Sequence, residues 1–168
     1  VGIERKKDRQ ECLSYSKEEN EMIEALRHKT VIVGSPKAIS DNAAVTTATL
    51  DAVGAGWVTF LVVIGALDIA VAVLKLTESD DSGMSGAADV PGADFSVLPA
   101  TLPAATADDT IVAIHVNMLG RKRYLDLTYT TGDGSAGTYS TVLAQLFDLQ
   151  QTPDSATARG FTQELFAG

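Results

Sequence analysis

Trp57-Val58-Thr59-Phe60-Leu61-Val62-Val63-Ile64-Gly65-Ala66-Leu67-Asp68-Ile69-Ala70-Val71-Ala72-Val73-Leu74-Lys75-Leu76 is the stretch whose reading sets the fold class. Together with residues 52–56 it is apolar and long enough to cross a bilayer. Asp68 lies inside it, however, and Gly54, Gly56 and Gly65 punctuate it. Its flanks are polar and β-prone where a membrane span would carry basic anchors. Two buried strands joined by a tight turn at Gly65-Ala66-Leu67-Asp68 explain it better. The unbroken apolar run from Trp57 to Ile64 then reads as a strand buried on both faces, with Trp57 as a core anchor. Its successor, 69–77, turns polar at Lys75, Thr77 and Glu78.

The same pattern continues on both sides. Val31-Ile32-Val33 ends at the turn signal Gly34-Ser35-Pro36, and 45–53 alternates loosely with Thr. Residues 111–118 and 121–131 read as strands, the second carrying Tyr124, Leu125, Leu127 and Tyr129. Gly132-Asp133-Gly134-Ser135-Ala136-Gly137 reads as a hairpin loop leading into a last long strand over 138–147. Residues 84–109 are rich in Ala, Gly, Pro and Asp and hold three of the five prolines, Pro91, Pro99 and Pro103. They read as a long irregular connection with one short strand at Phe95-Ser96-Val97-Leu98. A loop of that length in a compact domain usually contacts something, which makes Pro99 and Pro103 candidate contact residues. Seven or eight short strands without long helices between them predict an all-β chain, an antiparallel β-sandwich or jelly-roll-like domain over 30–150.

Two flanks differ from this body. Residues 1–29 form a charged N-terminal arm in which 17–27 is helix-prone, with Ser16 placed to cap it. Met22, Ile23 and Leu26 give that helix a narrow apolar face, marginal in water by itself. It is expected to rest on its own domain or on a neighbouring subunit, with those three residues in the contact. Residues 151–168 form a tail. There Phe161, Leu165 and Phe166 fall on one side of a short amphipathic segment, set either to close the bottom of the sandwich or to dock on a neighbour. The polar, charged start reads as no secretory leader.

Charge and composition exclude several function classes. The net charge is −9, and residues 1–30 hold seven Lys/Arg against seven Asp/Glu, so the whole excess belongs to the body. An acidic body repels phosphates, so no nucleic-acid partner is expected, and no membrane partner either. Cys12 is the single cysteine and His28 and His115 are far apart, so neither a disulfide nor a zinc-type ligand set is expected. The acidic group Glu78, Asp80 and Asp81 lacks the further ligands of a calcium loop and reads as a solvated turn. Asp108-Asp109 reads as a loop end, and His115, between Ile114 and Val116, as a satisfied core or interface histidine. No nucleophile elbow, P-loop or dinucleotide fingerprint is present, and no metal, cofactor or catalytic residue is expected. A carbohydrate-binding sandwich would need clustered aromatics. Tyr124, Tyr129 and Tyr139 are the only candidates in a chain with 6% aromatic residues. The one basic cluster of the body, Arg121-Lys122-Arg123, has two readings. It is either a salt-bridge patch for an acidic partner surface or a turn balanced by the body's own acids.

Two segments carry a family resemblance. Val73-Leu74-Lys75-Leu76-Thr77-Glu78-Ser79-Asp80-Asp81 is a strand running into an acidic loop, preceded by Gly56-Trp57-Val58-Thr59-Phe60-Leu61-Val62-Val63-Ile64-Gly65. Gly120-Arg121-Lys122-Arg123-Tyr124-Leu125-Asp126-Leu127 is a basic turn leading into a strand. In this order, with a Pro/Ala-rich loop between them, they resemble small head proteins of tailed phages and prophages, of the capsid decoration or cement type. The resemblance covers roughly residues 44–146, and the arm and tail depart from the family's pattern. It implies a non-enzymatic structural virion protein that passes through the host cytoplasm during assembly and binds the major capsid protein on the outer surface of the head. It also implies β-sandwiches clustered as homotrimers between capsomers. A head–tail junction, tail or fibre component is the neighbouring structural role. Avidity on a repeated lattice suits a small domain with several contact devices.

Overall fold

Alternation of more and less buried residues runs through the strands over 57–64, 73–79, 110–117, 124–130 and 138–147 and places the core between two sheets. The computed structural model describes residues 26–39, 43–45, 47–132 and 138–165. Within them the chain forms β1 (His28–Ile39), β2 (Ala44–Val45), β3 (Leu50–Asp51), β4 (Trp57–Ile64), β5 (Val73–Ser79), β6 (Ala88–Asp94), β7 (Thr110–Asn117), β8 (Tyr124–Thr130) and β9 (Thr138–Phe147). One sheet has the order β1-β9-β4-β7. The other has β2-β8-β5-β6, with β3 also pairing β8.

The hydrogen-bonded pairs are nested. β5 pairs β6, β4 pairs β7, the short strands β2 and β3 pair β8, and β1 pairs β9, all antiparallel. A long hairpin with this nested pairing, rolled so that alternate pairs fall in different sheets, is a jelly roll. The all-β sandwich expected from the strand pattern is therefore the fold.

The interior is mainly apolar. Val58, Phe60, Val62 and Ile64 of β4 and Val142, Ala144 and Leu146 of β9 face Leu74 and Leu76 of β5 and Leu125, Leu127 and Tyr129 of β8, all of them buried. The Tyr129 hydroxyl lies 3.2 Å from the Ser140 hydroxyl, so a hydrogen bond ties the two sheets together inside the core. Gly132 follows β8 where the chain leaves one sheet. A Cβ there would lie 2.0 Å from the Ile69 carbonyl oxygen, so only glycine fits against that backbone.

Several local expectations change. β4 is buried on one face, not both, and Trp57 points outward with 45% of its surface exposed. The turn at Gly65 does not make a hairpin, because β4 and β5 belong to different sheets. The loop after Gly132 likewise passes from β8 in one sheet to β9 in the other, and residues 133–137 lie outside the described residues. The first strand does not stop at Gly34-Ser35-Pro36. It continues to Ile39 through register shifts at Gly34 and Lys37. The strand of the Pro-rich connection is β6, ahead of Phe95-Ser96-Val97-Leu98. It sits at a sheet edge, and Pro91 falls within its register shift against β5, between Asp89 and Asp94, where a proline is tolerated.

Candidate interaction surfaces

The basic turn follows β7 and leads into β8, so it lies beside the end of β5, the neighbour of β8 in the sheet. β5 and β8 pair in register from Val73↔Thr130 to Ser79↔Tyr124. The acidic loop after β5 and the basic turn before β8, far apart in sequence, thus meet at one corner. Glu78 is buried. It accepts hydrogen bonds from Arg121 Nη1 at 3.3 Å and from the Lys122 backbone amide at 3.2 Å. Lys122 Nζ lies 3.9 Å from Asp80. Arg123 donates from Nε and Nη2 to the two oxygens of Asp51 at 2.8 and 2.7 Å, and its guanidinium stands 5.0 Å above the Tyr124 ring. The Arg123 hydrogen bond lowers the pKa of Asp51, and Asp51 in turn raises that of Arg123. All three basic side chains therefore face acids of the same chain. The acidic loop is also closed on itself: Asp81 accepts from the Gly83 amide at 2.6 Å, and the Ser79 hydroxyl donates to the Ser85 carbonyl at 2.8 Å.

Pro99 and Pro103 have different settings. The Pro103 carbonyl accepts from the Val71 amide at 2.9 Å and pins the connection to the crossover between sheets. The Leu67 amide is held in the same way by Asp108 at 2.7 Å. Pro99 is exposed at a loop tip beside Val97 and Leu98, which is 81% exposed. This tip overhangs the edge strand β6 and forms a groove of about 290 Å³ lined by Val90, Pro91, Val97, Leu98 and Pro99 among others. Leu26 is half-buried where the chain enters β1, whereas Met22 and Ile23 lie outside the described residues.

Sequence reasoning missed two features. One is the tail. Arg159 is buried, donates to the Pro153 carbonyl at 2.8 Å and forks onto Glu164, which lowers the pKa of Glu164. The Arg159 carbonyl accepts from the Thr30 amide at 2.8 Å, and Phe161 stands edge-on to His28 at 6.1 Å. Part of the tail is thus fastened to the start of β1, while Leu165 is 90% exposed and Phe166 lies outside the described residues.

The other is a contrast between the outer faces of the two sheets. The face of β5, β6 and β8 carries Lys75, Asp89, Asp94 and Asp126, with a Lys75–Asp89 ion pair at 2.9 Å. None of β4, β7 and β9 contains an Asp, Glu, Lys or Arg. Their outward residues line up across the sheet: Trp57 between Phe147 and Asn117, Thr59 between Gln145 and His115, Leu61 between Leu143 and Ala113, and Val63 between Thr141 and Ile111. Ile32 of β1 extends the third row. His115 is therefore not in the core. It is exposed on this face, with its Nδ1 2.9 Å from the Thr59 hydroxyl. The signal was present as three uncharged strands, but an uncharged strand does not show in its sequence which face is covered.

Among the described residues no group of three or more His, Cys, Asp or Glu is placed to hold a metal, and no helix is long and apolar enough to cross a membrane. Tyr124, Tyr129 and Tyr139 do not converge: Tyr129 is in the core, Tyr124 lies under Arg123, and Tyr139 is on the uncharged face. No protein-family model matches the chain, and no curated protein shows significant similarity to it.

Proposed function

We propose that this protein is a structural component of a tailed-phage head, a cement or decoration protein that binds the major capsid protein on the outer surface of the capsid and stabilises the shell without catalysis. The observation that carries the reading is the union of the two segments on which the resemblance rests. The acidic loop after β5 and the basic turn before β8 form one corner, held by Glu78 to Arg121 and to the Lys122 amide.

Because Arg121, Lys122 and Arg123 are neutralised within the chain, the contact with the capsid is assigned to apolar surface. The tip Val97-Leu98-Pro99 is the first candidate, since it is exposed and held at its base by Pro103 and Asp108. The jelly roll recurs in viral capsid and lectin domains, which makes the fold suitable for the role by analogy.

The test is co-sedimentation of the purified chain with shells assembled without it, followed by heating of the decorated and bare shells. Binding together with a higher disruption temperature supports the reading, and Leu98→Asp is expected to weaken binding while leaving the fold intact. A chain that neither binds nor protects the shells overturns it. Density at the neck or tail of a particle would move the protein to a head–tail junction or fibre role.

A further inference from the structure

The outer face of the β1-β9-β4-β7 sheet is built as an interface, and we infer that its occupant is a second copy of this chain, packed face to face about a twofold axis. The inference rests on this face alone and not on the capsid reading, and it stands against the homotrimer that the resemblance implies.

Exposed apolar residues on it are large and lie on both sides of the polar row Gln145–Thr59–His115. Ile32 is 57% exposed on edge strand β1, Ile111 63% on edge strand β7, and Tyr139 61%, Trp57 45% and Phe147 38% lie between. The row Ile32–Leu143–Leu61–Ala113 is apolar across the full width of the sheet. Soluble monomers seldom leave a contiguous apolar patch beyond a few hundred Å² in water.

Area and charge select the occupant. Four strands at a spacing of ~4.8 Å, each about eight residues long at ~3.3 Å per residue, give a face of roughly 500 Å² in projection. Side-chain relief raises the accessible area above that, so two such faces together reach the ~1,200–2,000 Å² of a stable protein–protein interface. A chain of net charge −9 repels its own copies at most approaches. β4, β7 and β9 hold no charged residue, and the two lysines of edge strand β1, Lys29 and Lys37, stand opposite the inward-facing Leu146 and Ser140, so this face is where two copies meet without burying like charges. A flat face that carries one patch pairs with the same patch on its partner, and such isologous contacts close as dimers. Two sheets packed this way lie ~10 Å apart with their strands aligned to within about 30°.

Trp57 is the only tryptophan and sits on the face, so its fluorescence reports whether the face is covered. The experiment is sedimentation equilibrium of the full chain across the micromolar range, with Trp57 emission recorded at each concentration. Ile111→Lys and Ile32→Lys, at opposite edges of the sheet, are studied alongside. Both side chains are mostly exposed, so either variant folds with its core unchanged, and thermal unfolding of each checks this. The expected result is a reversible dimer whose Trp57 emission shifts to the blue as it forms. In each variant the dimer dissociation constant should rise about a hundredfold, since the twofold buries two unpaired lysines per contact.

A trimer overturns the proposal. So does a dimer that neither lysine weakens. A monomer whose Trp57 is shielded at every concentration also overturns it and assigns the face to the chain's own arm, residues 1–25. A monomer with Trp57 open to quenchers overturns it as well.

Discussion

Arg123 and Asp51 form a two-pronged ion pair across the edge of the charged sheet, with both guanidinium–carboxylate contacts between 2.7 and 2.8 Å. It joins the basic turn to β3, and the neighbouring Ala52 amide donates to the Arg123 carbonyl at 3.0 Å. The pair spends in cis the charge that a free basic patch would offer to a partner.

The pair has a pH signature of known sign. The Arg123 hydrogen bond lowers the pKa of Asp51 from the ordinary 3.8. A carboxylate with a lowered folded-state pKa contributes stability that is present above pH 3.8 and is lost as the pH falls through the lowered value. Asp51→Asn is therefore expected to be slightly less stable than the parent at neutral pH, and the difference should vanish in strong acid. Both side chains are about half exposed, so the effect is small. Urea titrations of the two proteins at several pH values check it. Arg123→Lys should resemble Asp51→Asn, because a lysine cannot make both contacts.

Glu78 is the keystone of the acid–base corner. Replacing it with Ala leaves the Lys122 amide and the Arg121 guanidinium without their acceptor in a partly buried site. A loss of ~1–3 kcal/mol is expected. A double-mutant cycle with Arg121→Ala separates the ion pair from the backbone bond. Exact additivity of the two substitutions would show that Arg121 and Glu78 are not coupled.

Gly160 fastens the tail. Its φ is +89°, and a Cβ there would lie 1.7 Å from the Thr30 carbonyl oxygen. Gly160→Ala must therefore move the tail off β1, at a cost of about 1–3 kcal/mol. Faster hydrogen exchange at the Thr30 amide, which donates to the Arg159 carbonyl, is the local readout. Unchanged protection there would rule out the clip.

Tyr129 and Phe60 probe the core from opposite sheets. Tyr129→Phe removes a buried hydroxyl and leaves Ser140 without that partner, an expected loss of about 1 kcal/mol. Phe60→Ala opens a cavity beneath the centre of β4 and should cost ~3–5 kcal/mol. Chemical denaturation of both variants measures the contrast. A smaller loss for Phe60→Ala than for Tyr129→Phe would contradict the packing.

Much of the fold is legible before any coordinates. β4, β7, β8 and β9 fall where β-branched and aromatic runs end in turn residues, because that preference is local. β6 is hidden because Pro91, Gly92 and two aspartates give it no strand pattern. It exists through its pairing with β5 and through the bond from the Phe95 amide to the Leu74 carbonyl at 3.0 Å. Nothing in the sequence around Arg159 marks it as buried, which follows only once Glu164 and the Pro153 carbonyl are brought around it.

Local pattern alone is enough to make this chain an antiparallel sandwich, to locate most of its long strands, and to assign its charge to the body. How Trp57–Ile64 faces is set by the fold. A continuous apolar run has no alternation to mark its inner side, and the parity that turns Val58 and Phe60 inward and Trp57 outward comes from pairing with β7 and β9. Only the tertiary structure showed that the basic turn is satisfied at home, since Arg121 and Arg123 find Glu78 and Asp51 at sequence separations of 43 and 72 residues. Propensity is written over a few neighbouring residues. Which face is covered, and which charge is left free, depends on residues that only the fold brings together.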